Sequence, residues 1–241
     1  MIMRLKHLLV VALGIVLAAN AGPPSRAGDA PVVVELFTSQ GCRACPPADA
    51  TLGLLARRDD IIALSLHVDY WDYLGWRDTF AHPAFSERQF AYRDNWGESV
   101  VYTPQLIVHG RRDVRADDMQ AITAAIANLG DDEAPITVRI ERRDGMLKCR
   151  IEPRAENVTG TVWIAKYLLR TSVEIPRGEN AGRTITYYNV VISLDRIGAW
   201  SGTEPEEVTM PQPAPGEGVA VWIQEGRAGP ILAAAKIENP E

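Results

Sequence analysis

One short stretch restricts the fold of this chain more than any other. Residues 37–49 read FTSQGCRACPPAD, with Cys42 and Cys45 separated by two residues and followed directly by Pro46 and Pro47. Upstream, Pro31 to Phe37 is a β-branched run of strand character; downstream, Leu52, Leu55 and Ala56 recur at helical spacing over Ala48 to Arg57. Ile61 to Leu66 is a second apolar strand, so the reading is a β-α-β unit with both cysteines at its first joint. The two prolines suit a first helical turn, whose N–H groups have no intrahelical partner. Cys42 then stands at or near a helix N-terminus, where free amides and the macrodipole favour a thiolate, and Arg43 adds positive charge between the sulfurs.

The chain has 241 residues, 46% hydrophobic and 23% charged, with a net charge of −6, which argues against nucleic acid or an anionic membrane as partner. Arg4, Lys6 and His7 precede an apolar run from Leu8 to Ala19, and Ala19-Asn20-Ala21 has the small-x-small form of a signal peptidase site. Residues 1–21 are therefore expected to be a signal peptide and 22–30 a flexible segment. The expected destination is the periplasm or beyond, with no stable membrane span after cleavage.

The character of the sequence changes near residue 130. Up to there strands and helices alternate: a helix over Ser86 to Asn95 entered through Pro83, a strand from Pro104 to Val108, a His109-Gly110 turn, a return strand through Val114, and an amphipathic helix over Asp117 to Leu129. Beyond it strands dominate. Ile136, Val138 and Ile140 alternate with polar residues, Asp144-Gly145 signals a hairpin, and Leu147, Cys149 and Ile151 resume the alternation. Further strands are expected at 161–169, 183–193, 218–224 and 231–237. The expected fold class is α/β, with residues 31–130 as one domain and 131–241 as a mainly antiparallel β region packed on it.

With these residues in place, the chain resembles the thioredoxin superfamily. The resemblance rests on an acid-bearing strand, Val34-Glu35-Leu36-Phe37, ahead of the CxxC, and on Thr103-Pro104 leading into an apolar strand and hairpin. It covers about residues 31–130 and implies a cis Pro104 facing the cysteines, with adjacent backbone able to pair with an extended substrate. The usual tryptophan before the first cysteine is replaced by Gly41. The segments VELFTSQGC, CPPAD, HVDYWDYLGW, VYTPQ and ENAGRT also resemble an exported bacterial thioredoxin-like family of unknown function.

Cys42 is thus the candidate nucleophile and Cys45 the resolving thiol. Glu35 is either the buried acid that takes the Cys45 proton or a salt-bridged strand acid. His67 and Asp69 end the second strand, where loops collect beside an α/β site, and either can be structural instead. Tyr70 and Trp71, with Tyr73 and Trp76, form a lip for substrate or cover the seam between the two halves. Thr103 and Arg43 complete the expected substrate contacts. Cys149 reads as a small core residue.

Two function classes stay open. One is a thiol-disulfide oxidoreductase acting on protein or small-molecule thiols. The other is a binding module holding copper(I) through Cys42, Cys45 and His67, or a redox-inactive scaffold. A second CxxC that would complete a four-thiolate zinc site is absent from the sequence, and neither a cofactor nor a resident metal is expected. No sequence feature assigns an oligomeric state.

Overall fold

The β-branched run at the front of the chain becomes the middle of a large sheet. The structure, a computed structural model, describes residues 30–129 and 134–240. The expected signal peptide, nearly all of the segment at 22–30 and the boundary at 130/131 lie outside the described residues.

The first half runs β1 (Val32–Thr38), α1 (Pro46–Leu55), β2 (Ile61–His67), α2 (Pro83–Trp96), β3 (Gln105–Val108), β4 (Arg112–Val114) and α3 (Met119–Ala127). The second half is all strand: β5 (Ile136–Arg143), β6 (Met146–Pro153), β7 (Gly160–Ile175), β8 (Arg183–Trp200), β9 (Glu206–Pro211), β10 (Glu217–Gln224) and β11 (Ile231–Asn239). The α/β class and the antiparallel β region expected from the sequence are both present, and the first half is compatible with a thioredoxin-like domain. The Asp144-Gly145 signal is met by positive φ at both residues, the requirement of a tight hairpin turn.

The strands of the second half do more than pack on the first. Eight strands form one sheet in the order β11-β10-β7-β8-β2-β1-β3-β4, and β5-β6-β9 form a second, smaller sheet. The halves join where β2 lies parallel to β8, through the single pair Ser65 and Val190. Beside that pair Asn189, at φ 47°, turns its side-chain amide onto the Ala63 carbonyl at 2.9 Å, supplying a bond the backbone ladder lacks there. The sequence underestimates β7 and β8, which continue well past the expected ends; on β8 the register shifts opposite Val162/Trp163 and Lys166/Tyr167 interrupt the two-residue alternation. It misses β9 altogether.

Alternation on β1 sorts the core into two faces. Val34 and Leu36 pack with Leu52, Leu55, Ala63, Leu106 and Ile122 under α1 and α3. Val33 and Phe37 pack with Leu64, Phe85, Tyr92, Trp163 and Trp222 on the face covered by α2. A third cluster lies between the small sheet and the other face of β10, where Val219, Val221 and Ile223 meet Leu147, Cys149 and Ile151. Cys149 is fully buried there, and burial pushes its thiol up to about 12, consistent with a small core residue.

The α2 face encloses a charge pair. Arg88 of α2 donates through Nε and Nη2 to the two oxygens of Glu35 on β1, and Nη2 also reaches Tyr92 Oη and Gln224 Oε1 of β10, at 3.0 and 3.2 Å. Its guanidinium carbon stands 4.7 Å from the Trp163 ring centre and 5.1 Å from that of Trp222. Both charged side chains are about 1% exposed or less. Removing one partner leaves the other as an uncompensated buried ion. Arg88→Met is therefore expected to lower the unfolding free energy by about 3–5 kcal/mol. Denaturant unfolding measures it, and a loss under about 1 kcal/mol, the size typical of an exposed pair, contradicts a buried pair.

Candidate active site

The joint after β1 is built by proline and backbone. Cys45 caps α1, with Pro46 and Pro47 in its first turn, and its carbonyl accepts from Ala48 N at 2.9 Å and Asp49 N at 3.1 Å. The Cys42 carbonyl in turn accepts from Cys45 N at 3.2 Å. Cys42 and Cys45 are joined as a disulfide. Cys42 is 4% exposed and Cys45 wholly buried, while Arg43 and Ala44 between them are exposed.

Three loops converge on this disulfide. Thr103-Pro104 is a cis peptide, and Pro104 lines a cleft of about 310 Å³ with Ala44, Pro47, Tyr102 and Ala116. Trp71 donates from Nε1 to Thr103 Oγ1 at 2.7 Å. A Cβ at Gly41 would stand 3.2 Å from Trp71 Cβ, so glycine here lets Trp71 lie close against the loop that carries Cys42. The third loop comes from the second half, at the tip of the β7–β8 hairpin. Asn180, 1% exposed, donates from Nδ2 to the carbonyls of Gln40 and Cys42, both at 2.9 Å, and Arg183 holds its Oδ1. The ENAGRT segment thus closes on the CxxC loop although 138 residues separate Asn180 from Cys42.

Other candidate residues have structural partners. Asp69 accepts from Ser86 Oγ at the start of α2. Tyr70 donates to Gln89 Oε1, and Gln89 holds the Tyr102 carbonyl and Gln105, so Tyr70 supports the Thr103-Pro104 loop from behind. Glu35 sits with Val33 and Phe37 on the α2 face, occupied by Arg88 and Tyr92.

A buried acid that the sequence reading did not single out lies on the other face. Asp49 is 3% exposed, four residues after Cys45 on α1. Its Oδ1 accepts from Thr38 Oγ1 at 2.8 Å, and its Oδ2 has no partner in the protein. Burial pushes its carboxyl up to about 7, with Asp78 adding to the rise and His67 and Thr38 opposing it. The near-invisible signal was an acid in a first helical turn, which ordinarily reads as a favourable dipole contact with solvent.

His67 belongs to the same cluster. Its Nδ1 lies 2.7 Å from Asp78 Oδ2, and the ring is edge-on to Phe80 and Tyr187. Asp78 Oδ2 also accepts from the Gln40 amide at 2.7 Å, tying the cluster to the CxxC loop. Burial pushes the Asp78 carboxyl up, but the charge and hydrogen bond of His67 and the amides of Gln40 and Phe80 outweigh it, leaving the group below its ordinary range. Among the described residues, no group of three or more His, Cys, Asp or Glu side chains is arranged to hold a metal ion.

The folded chain holds the Asp49 proton up to about pH 7, whereas the unfolded chain releases it near 3.8. The folded state binds more protons across that window, so stability from this group falls as pH rises through it. Asp49→Asn is expected to stabilise the disulfide form at about pH 8 by on the order of 1–3 kcal/mol and to flatten this slope. Denaturant unfolding of both proteins at acidic and alkaline pH measures the difference, and equal stability at alkaline pH contradicts it.

Comparison with known proteins places this architecture among relatives. A family profile described as protein of unknown function (DUF1223) matches residues 33–224. A crystal structure of a protein from Agrobacterium tumefaciens, a structural-genomics target, is similar at 30% identity and a TM-score of 0.76, covering 90% of this chain and 97% of that one. HBP35 of Porphyromonas gingivalis is similar at 14% identity and a TM-score of 0.58, over 88% of this chain and 75% of that one, a likeness of fold alone. No curated protein matches the chain.

Proposed function

We propose a function from one premise: the chain belongs to the family described as protein of unknown function (DUF1223), a description that carries no activity. The proposed function is thiol-disulfide exchange by an exported member of the thioredoxin superfamily, acting on protein or small-molecule thiols in the periplasm or beyond. The observation that carries it is the Cys42–Cys45 disulfide at the N-terminus of α1, with Ala44 and Pro47 sharing one cleft with Pro104. Export is supported by the basic, apolar and small-x-small succession in residues 1–21.

In the reducing direction the Cys42 thiolate attacks a substrate disulfide, forming a mixed disulfide and releasing one substrate thiolate. Cys45, deprotonated, then attacks the Cys42 sulfur, closes the protein disulfide and releases the second thiolate. The substrate gains two electrons and the protein dithiol loses two; the oxidising direction runs the same bonds in reverse. Exposed Arg43 and the N-terminus of α1 favour the Cys42 thiolate. An extended substrate would run past Thr103 and Pro104, pairing with backbone as an added strand. Tyr73, Val100 and Tyr102, between 47% and 76% exposed, offer apolar contact beside it.

The mature, metal-free protein is to be titrated in glutathione buffers, with mass-resolved alkylation of Cys42, Cys45 and Cys149. A reversible two-electron couple at Cys42 and Cys45 between roughly −120 and −270 mV is expected, and a couple below about −300 mV overturns exchange in favour of a structural staple. Cys45→Ser is expected to accumulate a mixed disulfide on Cys42 that the intact protein does not retain, a species read directly by mass.

A further inference from the structure

The disulfide is backed by a closed polar cluster that the exchange steps above leave unused. Four elements contribute: Thr38 on β1, Asp49 on α1, Ser65 and His67 on β2, and Tyr187 on β8, with Asp78 from the loop after β2. All are buried. Four of their polar atoms, Asp49 Oδ2, Ser65 Oγ, His67 Nε2 and Tyr187 Oη, have no hydrogen-bond partner in the protein. Orphaned buried polar groups are costly, and their gathering in one place calls for a role other than stability.

On the reading that Cys42 and Cys45 cycle, we propose that Asp49 is the catalytic residue that takes the proton from Cys45 and returns it, and that His67 and Asp78 are positioning residues that set the charge next to it. Residues four apart on a helix are neighbours on one face, so the Asp49 carboxyl and the Cys45 sulfur share the inner side of the first turns of α1. Both are sealed from water, leaving the Cys45 proton without solvent to receive it. Glu35, the strand acid, already accepts from Arg88 and Tyr92 on the α2 face of the sheet.

The dyad behind Asp49 has a defined polarity. Asp78 is held below the ordinary carboxylate range and is therefore an acceptor, so His67 Nδ1 carries the proton between them. His67 Nε2 is left without a hydrogen-bond partner in the protein, and the ring lies close enough to Asp49 to act on its carboxyl. The groups facing Asp49 are thus Thr38, His67, Asp78 and Tyr187, and burial pushes the Tyr187 hydroxyl above its usual range, so it stays protonated. With burial holding Asp49 near neutrality, its carboxylate is poised to accept a thiol proton at working pH.

In the resolving step Cys45 S–H gives its proton to Asp49 Oδ2, the sulfur attacks Cys42, and the substrate thiolate leaves with the electron pair of the mixed disulfide. Asp49 then passes the proton to the released thiolate, which carries it away from the site. In the opposite direction protonated Asp49 donates to the Cys45 thiolate as the protein disulfide opens.

The test follows single turnover of the reduced mature protein with dithiobis(nitrobenzoate), whose two coloured thiolates report the two steps separately: Cys42 attack releases the first and Cys45 resolution the second. Asp49→Asn is expected to leave the first release unchanged and to slow the second by roughly 100-fold at neutral pH, with loss of its inflection. His67→Asn is expected to move the pH midpoint of the second release and leave the first unmoved. A second release of unchanged rate and pH profile in Asp49→Asn, or equal slowing of both releases, overturns the proposal. If the intact protein itself gives no second release, it is the exchange reading that fails. Should Asp49→Asn not fold, carboxyl carbon NMR of the intact protein decides: a midpoint near 7 that moves between disulfide and dithiol forms supports the role, and titration in the ordinary carboxylate range in both overturns it.

Discussion

The burial of Arg88 against Glu35 is the constraint on which the rest of the structure depends. A guanidinium and a carboxylate taken out of water must find each other and gather further hydrogen bonds around them. Here the partners come from every quarter: Glu35 from β1, Tyr92 from α2, Gln224 from β10, and the faces of Trp163 and Trp222 from β7 and β10. Such a centre cannot be assembled by either half of the chain alone. It ties α2 to β1 of the first half and to β7 and β10 of the second.

The opposite face follows another logic. The α2 side pairs its two ions and leaves Arg88 Nη1 and Trp163 Nε1 without partners, whereas the neighbourhood behind the disulfide keeps the other four of the six unpartnered buried side-chain atoms found among the described residues. A buried carboxyl held near neutrality costs stability at any pH where it would rather ionise. Such a cost is tolerated when the surrounding packing over-determines the position, and it is the usual signature of a group retained for its chemistry. The stable junction on one face thus supports an incompletely satisfied cluster on the other, and Asn180 links the two halves again at the CxxC loop.

Much of the local architecture is legible in the residues themselves. Val32 to Thr38 and Ile61 to His67 become strands because β-branched and apolar runs of that length have few alternatives; Pro83 opens α2 and Asp144-Gly145 turns the first hairpin of the second half for equally local reasons. Cys42 and Cys45 could be nominated because they stand at a strand-to-helix joint, Trp71 as one of a run of aromatics after the second strand, and Thr103 and Pro104 through the resemblance to the thioredoxin superfamily. Asp49, Asp78 and Asn180 could not. An acid in a first helical turn, an acid in an aromatic loop and an asparagine in a glycine-containing turn all have ordinary surface readings, and only neighbours distant in sequence make them buried.

Sequence alone therefore settles the order and type of most elements, the proline-braced cysteine pair at a strand-to-helix joint and the strand-rich second half. These depend on propensity, periodicity and turn chemistry within a few residues. Tertiary structure decides that β8 lies beside β2, that Glu35 is matched to Arg88 53 residues later and Arg88 to Gln224 136 residues later, and that Asp49 is dry. The reason is physical: the dielectric and the partners around a titratable side chain are set by which strands become neighbours, and no local signal in the chain encodes strand order.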